Sequence, residues 1–129
     1  MVRDFKVSKI PASFRYAFRG IWHVLRSEQN LQIHAIATVV AITLAILFRV
    51  SAIELAIVLL AVGFVLASEI LNTVIEDFLD IVHPAHHDSV RRIKDALAGA
   101  VLLAAVIALA VGALVFGPHI LAALNGRSL

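Results

Sequence analysis

The chain has 129 residues, of which 61% are hydrophobic and only 16% are charged, and its mean hydropathy is +0.97. A water-soluble domain of this length could not bury so much apolar surface, because a small domain has a large surface for its volume. The composition therefore excludes an ordinary soluble domain and indicates that lipid forms part of the solvent. The sequence contains no cysteine, which excludes disulfides and thiolate chemistry.

The N-terminal part of the chain predicts an amphipathic helix over residues 13–27. Apolar side chains from Phe14 to Leu25 repeat at intervals of three and four residues, whereas arginines share another face, namely Arg15, Arg19 and Arg26. A helix with one basic face and one apolar, aromatic face is suited to the membrane surface, and we expect it to lie there. The basic face could also bind nucleic acid, but an adjacent bilayer explains it more simply, so we expect no nucleic-acid partner.

Three apolar segments follow and predict membrane-spanning helices over residues 31–50, 54–82 and 90–118. The hydrocarbon core of a bilayer is about 30 Å thick and requires about 20 helical residues. The third segment meets this length without a charge from Ala96 onward. The first two meet it only with polar positions included, which we expect to face protein rather than lipid. The sequence thus predicts a single all-α membrane domain over residues 1–129.

The distribution of basic residues predicts the orientation of these spans. Lysines and arginines cluster before the first span and before the third, whereas Arg49 and Arg127 stand alone in the first loop and the tail. Basic residues concentrate on the cytoplasmic side of membrane proteins. We therefore expect the N-terminus and the 77–95 loop in the cytoplasm and the C-terminus outside.

The second span carries a line of polar residues that we call the polar stripe. On an ideal helix its members lie within about 60° of the direction of Glu69; they are Glu69, Asn72, Thr73, Glu76 and Asp80. An aspartate at the centre of a membrane helix costs about 2.5–3.5 kcal/mol on insertion scales. Because alanine or leucine would serve structure better, two glutamates in one span indicate a function.

Depth in the membrane suggests different roles for the two glutamates. Glu76 lies beside the cytoplasmic loop, where it could meet a water-soluble nucleotide and its metal, and Glu28 lies at the same level. Mg²⁺ commonly binds through one or two carboxylates together with substrate phosphates. Glu69 lies about 10 Å deeper, where it could meet a hydroxyl carried by a lipid. Lys94, at the start of the third span, suits either phosphate binding or membrane anchoring.

Four short strings occur in a fixed order along the chain: FRYAFRG from Phe14, SEQN from Ser27, EILNTVIE from Glu69 and KDALAGAV from Lys94. Together they resemble the bacterial diacylglycerol kinase/undecaprenol kinase family, over roughly residues 13–117. Each string alone is a weak signal. The E-x-x-N-T/S-x-x-E pattern followed by K-D at this distance, with a helix before and a span after, is highly specific.

The resemblance implies a reaction and an assembly. The reaction is transfer of the γ-phosphate of ATP to a lipid hydroxyl, giving phosphatidic acid from diacylglycerol or undecaprenyl phosphate from undecaprenol. The assembly is a homotrimer in the bacterial inner membrane, with Mg²⁺ as the metal and with active sites shared between neighbouring subunits.

The site residues that the resemblance implies fall into four groups. Glu69 is the general base and is supported by Asn72. The residues that hold Mg²⁺ are Glu28 and Glu76. The residues that contact the nucleotide are Tyr16, Glu28, Glu76, His87, Lys94, Asp95 and Lys9. The residues near the lipid are Gly20, Asn30, Leu31 and Glu69.

The sequence departs from the family pattern at several positions. Ala85 stands where an acidic residue is common, and His86 adds a second histidine beside His87. His34 replaces an acidic residue found in the Gram-negative branch, which, with Ser27 and Glu54, favours the undecaprenol kinase branch. Both lipids stay open at this point.

A different class of function is also compatible with a carboxylate inside a span. In a small multimeric transporter, Glu69 would relay protons, since intramembrane carboxylates are common in such proteins. A transporter of this kind would work without a nucleotide. It would also have no reason to place Lys94 and Glu28 level with Glu76.

Overall fold

The computed structural model describes residues 10–84 and 87–126. These residues form four α-helices, namely α1 Ile10–Ser27, α2 Gln29–Leu47, α3 Ala52–Val82 and α4 Asp88–Leu124. By length and composition, α2, α3 and α4 are each suited to crossing a membrane. The structure thus confirms the predicted all-α architecture with three spans.

The observed helices differ from the predicted bounds by a few residues at most ends, and prolines lie near two of these ends. α1 begins at Ile10 rather than at residue 13, because Pro11 fits the first turn of a helix, where an N–H has no intrahelical partner. α4 continues to Leu124 rather than ending at residue 118, with Pro118 inside it. A membrane helix tolerates an internal proline where neighbouring groups satisfy the freed backbone.

A tight, capped turn connects α2 to α3. Arg49 takes the left-handed backbone conformation, with a φ of 52°. The Ser51 hydroxyl then accepts a hydrogen bond of 3.3 Å from the Glu54 backbone N–H. In return, the Glu54 carboxylate accepts one of 2.7 Å from the Ser51 backbone N–H. This reciprocal capping box fixes the start of α3 and makes α2 and α3 antiparallel neighbours.

The same end of the bundle is joined to α4 through His119. The His119 Nε2 atom lies 3.3 Å from the Glu54 Oε1 atom, and its ring stacks on Phe48 with centroids 5.8 Å apart. Beneath this contact lies a buried apolar cluster formed by Ala45, Val58, Val115 and Phe116. The end that carries the α2–α3 turn therefore ties three helices together, whereas the opposite end of α3 and α4 carries the polar residues.

Candidate active site

The polar stripe lies on the face of α3 that packs against the rest of the protein. The buried residues of this helix are Val58, Val65, Glu69 and Thr73. On an ideal helix all of them lie within about 40° of the direction of Glu69. The stripe thus continues the apolar packing face, and its inner part turns toward protein, as the sequence predicts.

Glu69 is the most deeply buried polar residue that the structure describes, with an exposed fraction of 2%. Within residues 10–84 and 87–126, its carboxylate forms no hydrogen bond or ion pair. Three residues further along, the Oδ1 atom of Asn72 is also buried without a hydrogen-bond partner in that part of the chain. Buried polar groups are costly unless they are paired, so a partner from outside the described residues would stabilise these two side chains.

Exposure increases along the stripe toward the end of α3. Glu69 and Thr73 are buried, Glu76 is half-buried, and the Asp80 side chain is 63% exposed. A single helix face therefore connects the interior of the bundle to water. This gradient is what an enzyme needs if one reactant is dissolved in lipid and the other in water.

A mixed-charge cavity of about 420 Å³ lies at the exposed end of the stripe, between the end of α3 and the start of α4. It is lined by Asp80, His83, Pro84, His87, Asp88, Val90, Arg91 and Lys94. Within it, the Lys94 ammonium donates a hydrogen bond of 2.5 Å to the Asp80 Oδ1 atom. Lys94 is half-buried and lines the cavity.

His87 caps the start of α4 at the wall of this cavity. Its backbone is extended, and its Nδ1 atom accepts a hydrogen bond of 3.3 Å from the Ser89 backbone N–H. This bond occupies Nδ1, so a ligand would contact the ring through Nε2. The first-turn N–H groups of α4, which point along the helix axis, favour negative charge at the same place.

The structure brings together part of the predicted nucleotide site. His87 and Lys94 line the same cavity, whereas Tyr16, Glu28, Glu76 and Asp95 are not among its lining residues. Tyr16 is exposed on α1, beside the guanidinium groups of Arg15 and Arg19, which lie 5.7 and 5.9 Å from its ring centroid. Lys9 lies outside the described residues.

The two predicted Mg²⁺ ligands lie on different elements. Glu28 is the one non-helical residue between α1 and α2, and its side chain makes no cap hydrogen bond. Glu76 lies on the polar stripe, and both side chains are half-buried. No group of three or more metal-ligating side chains converges in the part of the chain that the structure describes. Mg²⁺ does not require one, because it takes phosphate oxygens and water alongside one or two carboxylates.

The predicted lipid-contacting residues differ in exposure. Gly20 and Asn30 are exposed on α1 and at the start of α2, whereas Leu31 is buried, with an exposed fraction of 2%. With Val24, Leu31 forms the buried part of the region where α1 meets α2. Leu31 thus contributes to the packing of α1 against α2.

Three residues of the cavity have no function predicted from the sequence, namely Asp80, His83 and Arg91. Asp80 belongs to the polar stripe, and His83 is exposed at the end of α3. The available signal was the opposite charge of Asp80 and Lys94 on two helices joined by a short link.

Fold and site together define a class: an all-helical membrane protein in which a buried carboxylate is connected to an aqueous cavity. A sequence profile of the family described as prokaryotic diacylglycerol kinase matches residues 15–116. The chain belongs to this family, and it is a lipid kinase.

The relatives of this chain include kinases that are named for different lipids. An undecaprenol kinase of Bacillus subtilis is 41% identical over 108 residues, which cover 84% of this chain and 88% of the relative. A diacylglycerol kinase of Synechocystis is 38% identical over 110 residues, covering 84% of this chain and 63% of the relative. A diacylglycerol kinase of Escherichia coli is 27% identical over 104 residues, covering 81% of this chain and 85% of the relative.

Proposed function

We propose that this lipid kinase transfers the γ-phosphate of ATP to the terminal hydroxyl of undecaprenol, with Mg²⁺ as the metal and with diacylglycerol as a poorer substrate. The observation that carries the reaction is the burial of the unpaired Glu69 on a helix face that leads to the Lys94 cavity. The choice of lipid rests on His34, Ser27 and Glu54, and on the 41% identity to an undecaprenol kinase over 88% of its length.

In the proposed reaction, Glu69 accepts the proton of the lipid hydroxyl. The lipid oxygen forms a bond to the γ-phosphorus, and the bond between that phosphorus and the β–γ bridging oxygen breaks. The electron pair of the broken bond leaves with ADP. General-base assistance of this kind contributes about 10²–10⁴-fold in rate, and Asn72 would hold the carboxylate and hydroxyl in register.

Charge neutralisation is the other requirement of phosphoryl transfer. Lys94 would bind the phosphates from the cavity wall, with His87 beside it and Tyr16 and Asp95 as further nucleotide contacts. Mg²⁺, held by Glu28 and Glu76 together with phosphate oxygens, would supply additional positive charge at the γ-phosphate.

We further propose a homotrimer in the inner membrane, with the N-terminus and the 77–95 loop in the cytoplasm. An apolar groove of about 550 Å³ runs between α2 and α4 and is rich in small residues, among them Ala37, Ala41, Ala105, Ala108 and Gly112. Small residues allow helices of different subunits to approach closely in a membrane. A second copy of the chain is the occupant that we propose for this groove.

The decisive experiment is a competition assay with purified protein in bilayers. The wild-type chain is given Mg²⁺, labelled ATP and equal amounts of undecaprenol and diacylglycerol, and the labelled lipids are separated. We expect most of the label in undecaprenyl phosphate and none above background with Glu69→Gln. Label mainly in phosphatidic acid would overturn the choice of lipid, and undiminished transfer by Glu69→Gln would overturn the role of the base. Membership of a kinase family argues against the transporter alternative.

A further inference from the structure

Asp80 and Lys94 form a direct contact between two helices at the wall of the cavity. The Lys94 Nζ atom lies 2.5 Å from the Asp80 Oδ1 atom, and the side chains are 31% and 63% exposed. The residues lie fourteen positions apart, on either side of the link between α3 and α4. Asp80 takes no part in the steps of the proposed reaction.

The contact has a clear effect on the lysine. A lysine side chain is a flexible four-carbon stem that ends in a compact ammonium with three donors. Without a partner, the ammonium therefore samples many positions. Binding one donor to Asp80 fixes the ammonium at the cavity wall and leaves two donors for another anion. A short charge-assisted bond therefore prepares Lys94 for a ligand with several phosphate oxygens.

A purely structural role is the weaker explanation. Ion pairs with exposed partners contribute little to folding, because water and salt screen them and because ordering both side chains is costly. Asp80 is mostly exposed, and the packing face of α3 is already buried through Val58, Val65 and Thr73. Such a pair has a larger effect when it holds a charged group in the orientation that a ligand requires.

We propose that Asp80 is a positioning residue that orients Lys94 toward the phosphates of the nucleotide, an inference that rests on the proposed function. When the nucleotide is bound, one Lys94 donor stays on Asp80 while the other two contact phosphate oxygens. Arg91 and the N-terminus of α4 line the same cavity and offset the repulsion between Asp80 and the phosphates.

The experiment combines substitutions of the pair with two readouts, namely ATP binding to the purified protein in bilayers and steady-state transfer to lipid. Asp80→Ala removes the acceptor, whereas Asp80→Asn keeps an oxygen of the same reach. Asp77→Ala, an exposed carboxylate on the same helix that does not line the cavity, is the matched control.

We expect Asp80→Ala to weaken ATP binding and to lower kcat/KM for ATP by about ten- to a hundredfold, with the KM for lipid unchanged. Asp80→Asn should stay within about fivefold of wild type, because its amide oxygen accepts the same bond. Adding Asp80→Ala to Lys94→Ala should cause no further loss, since both residues then act through one contact.

Several outcomes would overturn the inference. Unchanged or tighter ATP binding by Asp80→Ala would mean that Asp80 does not orient Lys94 or competes with the phosphates. Equal losses for ATP and lipid, with a lower melting temperature, would indicate a structural role. The proposed function fails separately: if wild type binds ATP and Asp80→Ala weakens that binding, but no lipid is labelled, only the reaction is wrong. If the wild-type protein did not bind ATP, both the proposed function and the proposed role of Asp80 would be wrong.

Discussion

Glu69 and Thr73 lie one helical turn apart on α3, and both side chains are buried, with exposed fractions of 2% and 5%. They continue a packing face that begins with Val58 and Val65. Thr73 is neutral, whereas an ionised carboxylate at position 69 would be costly unless it were paired. Glu69 has no hydrogen-bond or ion-pair partner among the described residues. We therefore expect Glu69 to lower the stability of the fold although the reaction requires it.

The first prediction tests the effects of Glu69 on stability and on activity separately. Glu69→Gln should lower phosphate transfer by at least about 100-fold, because the amide cannot accept the hydroxyl proton. The same change should raise the melting temperature in detergent, because it replaces a buried acidic group with an amide of nearly the same volume. Thermal unfolding and transfer assays on one preparation check both parts. A variant that is inactive and also less stable would show that Glu69 supports the fold instead.

A carboxylate at the other end of the same helix should show the reverse pattern. Glu54 receives the Ser51 backbone N–H and lies 3.3 Å from His119 Nε2. Glu54→Gln should lower the free energy of unfolding, since it weakens hydrogen bonds to a charged group. Transfer activity well below the melting temperature should stay unchanged.

Substitution of His119 belongs to this second prediction, because it separates the contributions to the same contact. His119→Phe should keep the stacking on Phe48 and lose only the polar contact, whereas His119→Ala should lose both and destabilise more. Equal melting temperatures for the two variants would contradict a contribution from stacking.

The polar stripe could be predicted from the sequence because helical periodicity is set by the backbone alone. Residues 69, 72, 73, 76 and 80 must share a face whatever surrounds the helix. The Asp80–Lys94 contact could not be predicted in the same way, because it depends on how α4 folds back on α3. The unpaired Oδ1 of Asn72 likewise becomes visible only once the neighbouring helices are in place.

The turn between α2 and α3 gives a third prediction, at Arg49. Its φ of 52° is unfavourable for a residue with a Cβ atom. Arg49→Gly should therefore raise the free energy of unfolding, by up to about 1 kcal/mol, and Arg49→Val should lower it. Arg49→Asn is the control for loss of charge, because asparagine tolerates this conformation. Destabilisation by both Gly and Asn would show that the arginine charge, rather than the backbone, is important at this turn.

Metal dependence provides a fourth prediction, which tests Glu28 and Glu76. Chelation of divalent cations should abolish transfer, and Glu28→Gln and Glu76→Gln should each raise the Mg²⁺ concentration needed for half-maximal rate by about tenfold or more. The rate is measured against free Mg²⁺ at saturating ATP, with Asp77→Asn as the control carboxylate. A Mg²⁺ requirement that is the same in all variants would place the metal elsewhere.

The last prediction concerns Gly112 and the proposed trimer. Among the residues that the structure describes, a Cβ atom at this position would meet Phe116 Cδ2, at 4.0 Å, which is an ordinary contact. Gly112→Ala should therefore leave the fold of the subunit intact, and Gly112→Leu should fill the groove between α2 and α4, which is where we place the neighbouring copy. Light scattering in detergent should show a trimer for wild type and Ala and smaller species for Leu, with transfer lost in parallel because the sites are shared. A trimeric, active Leu variant would mean that the subunits meet through another face.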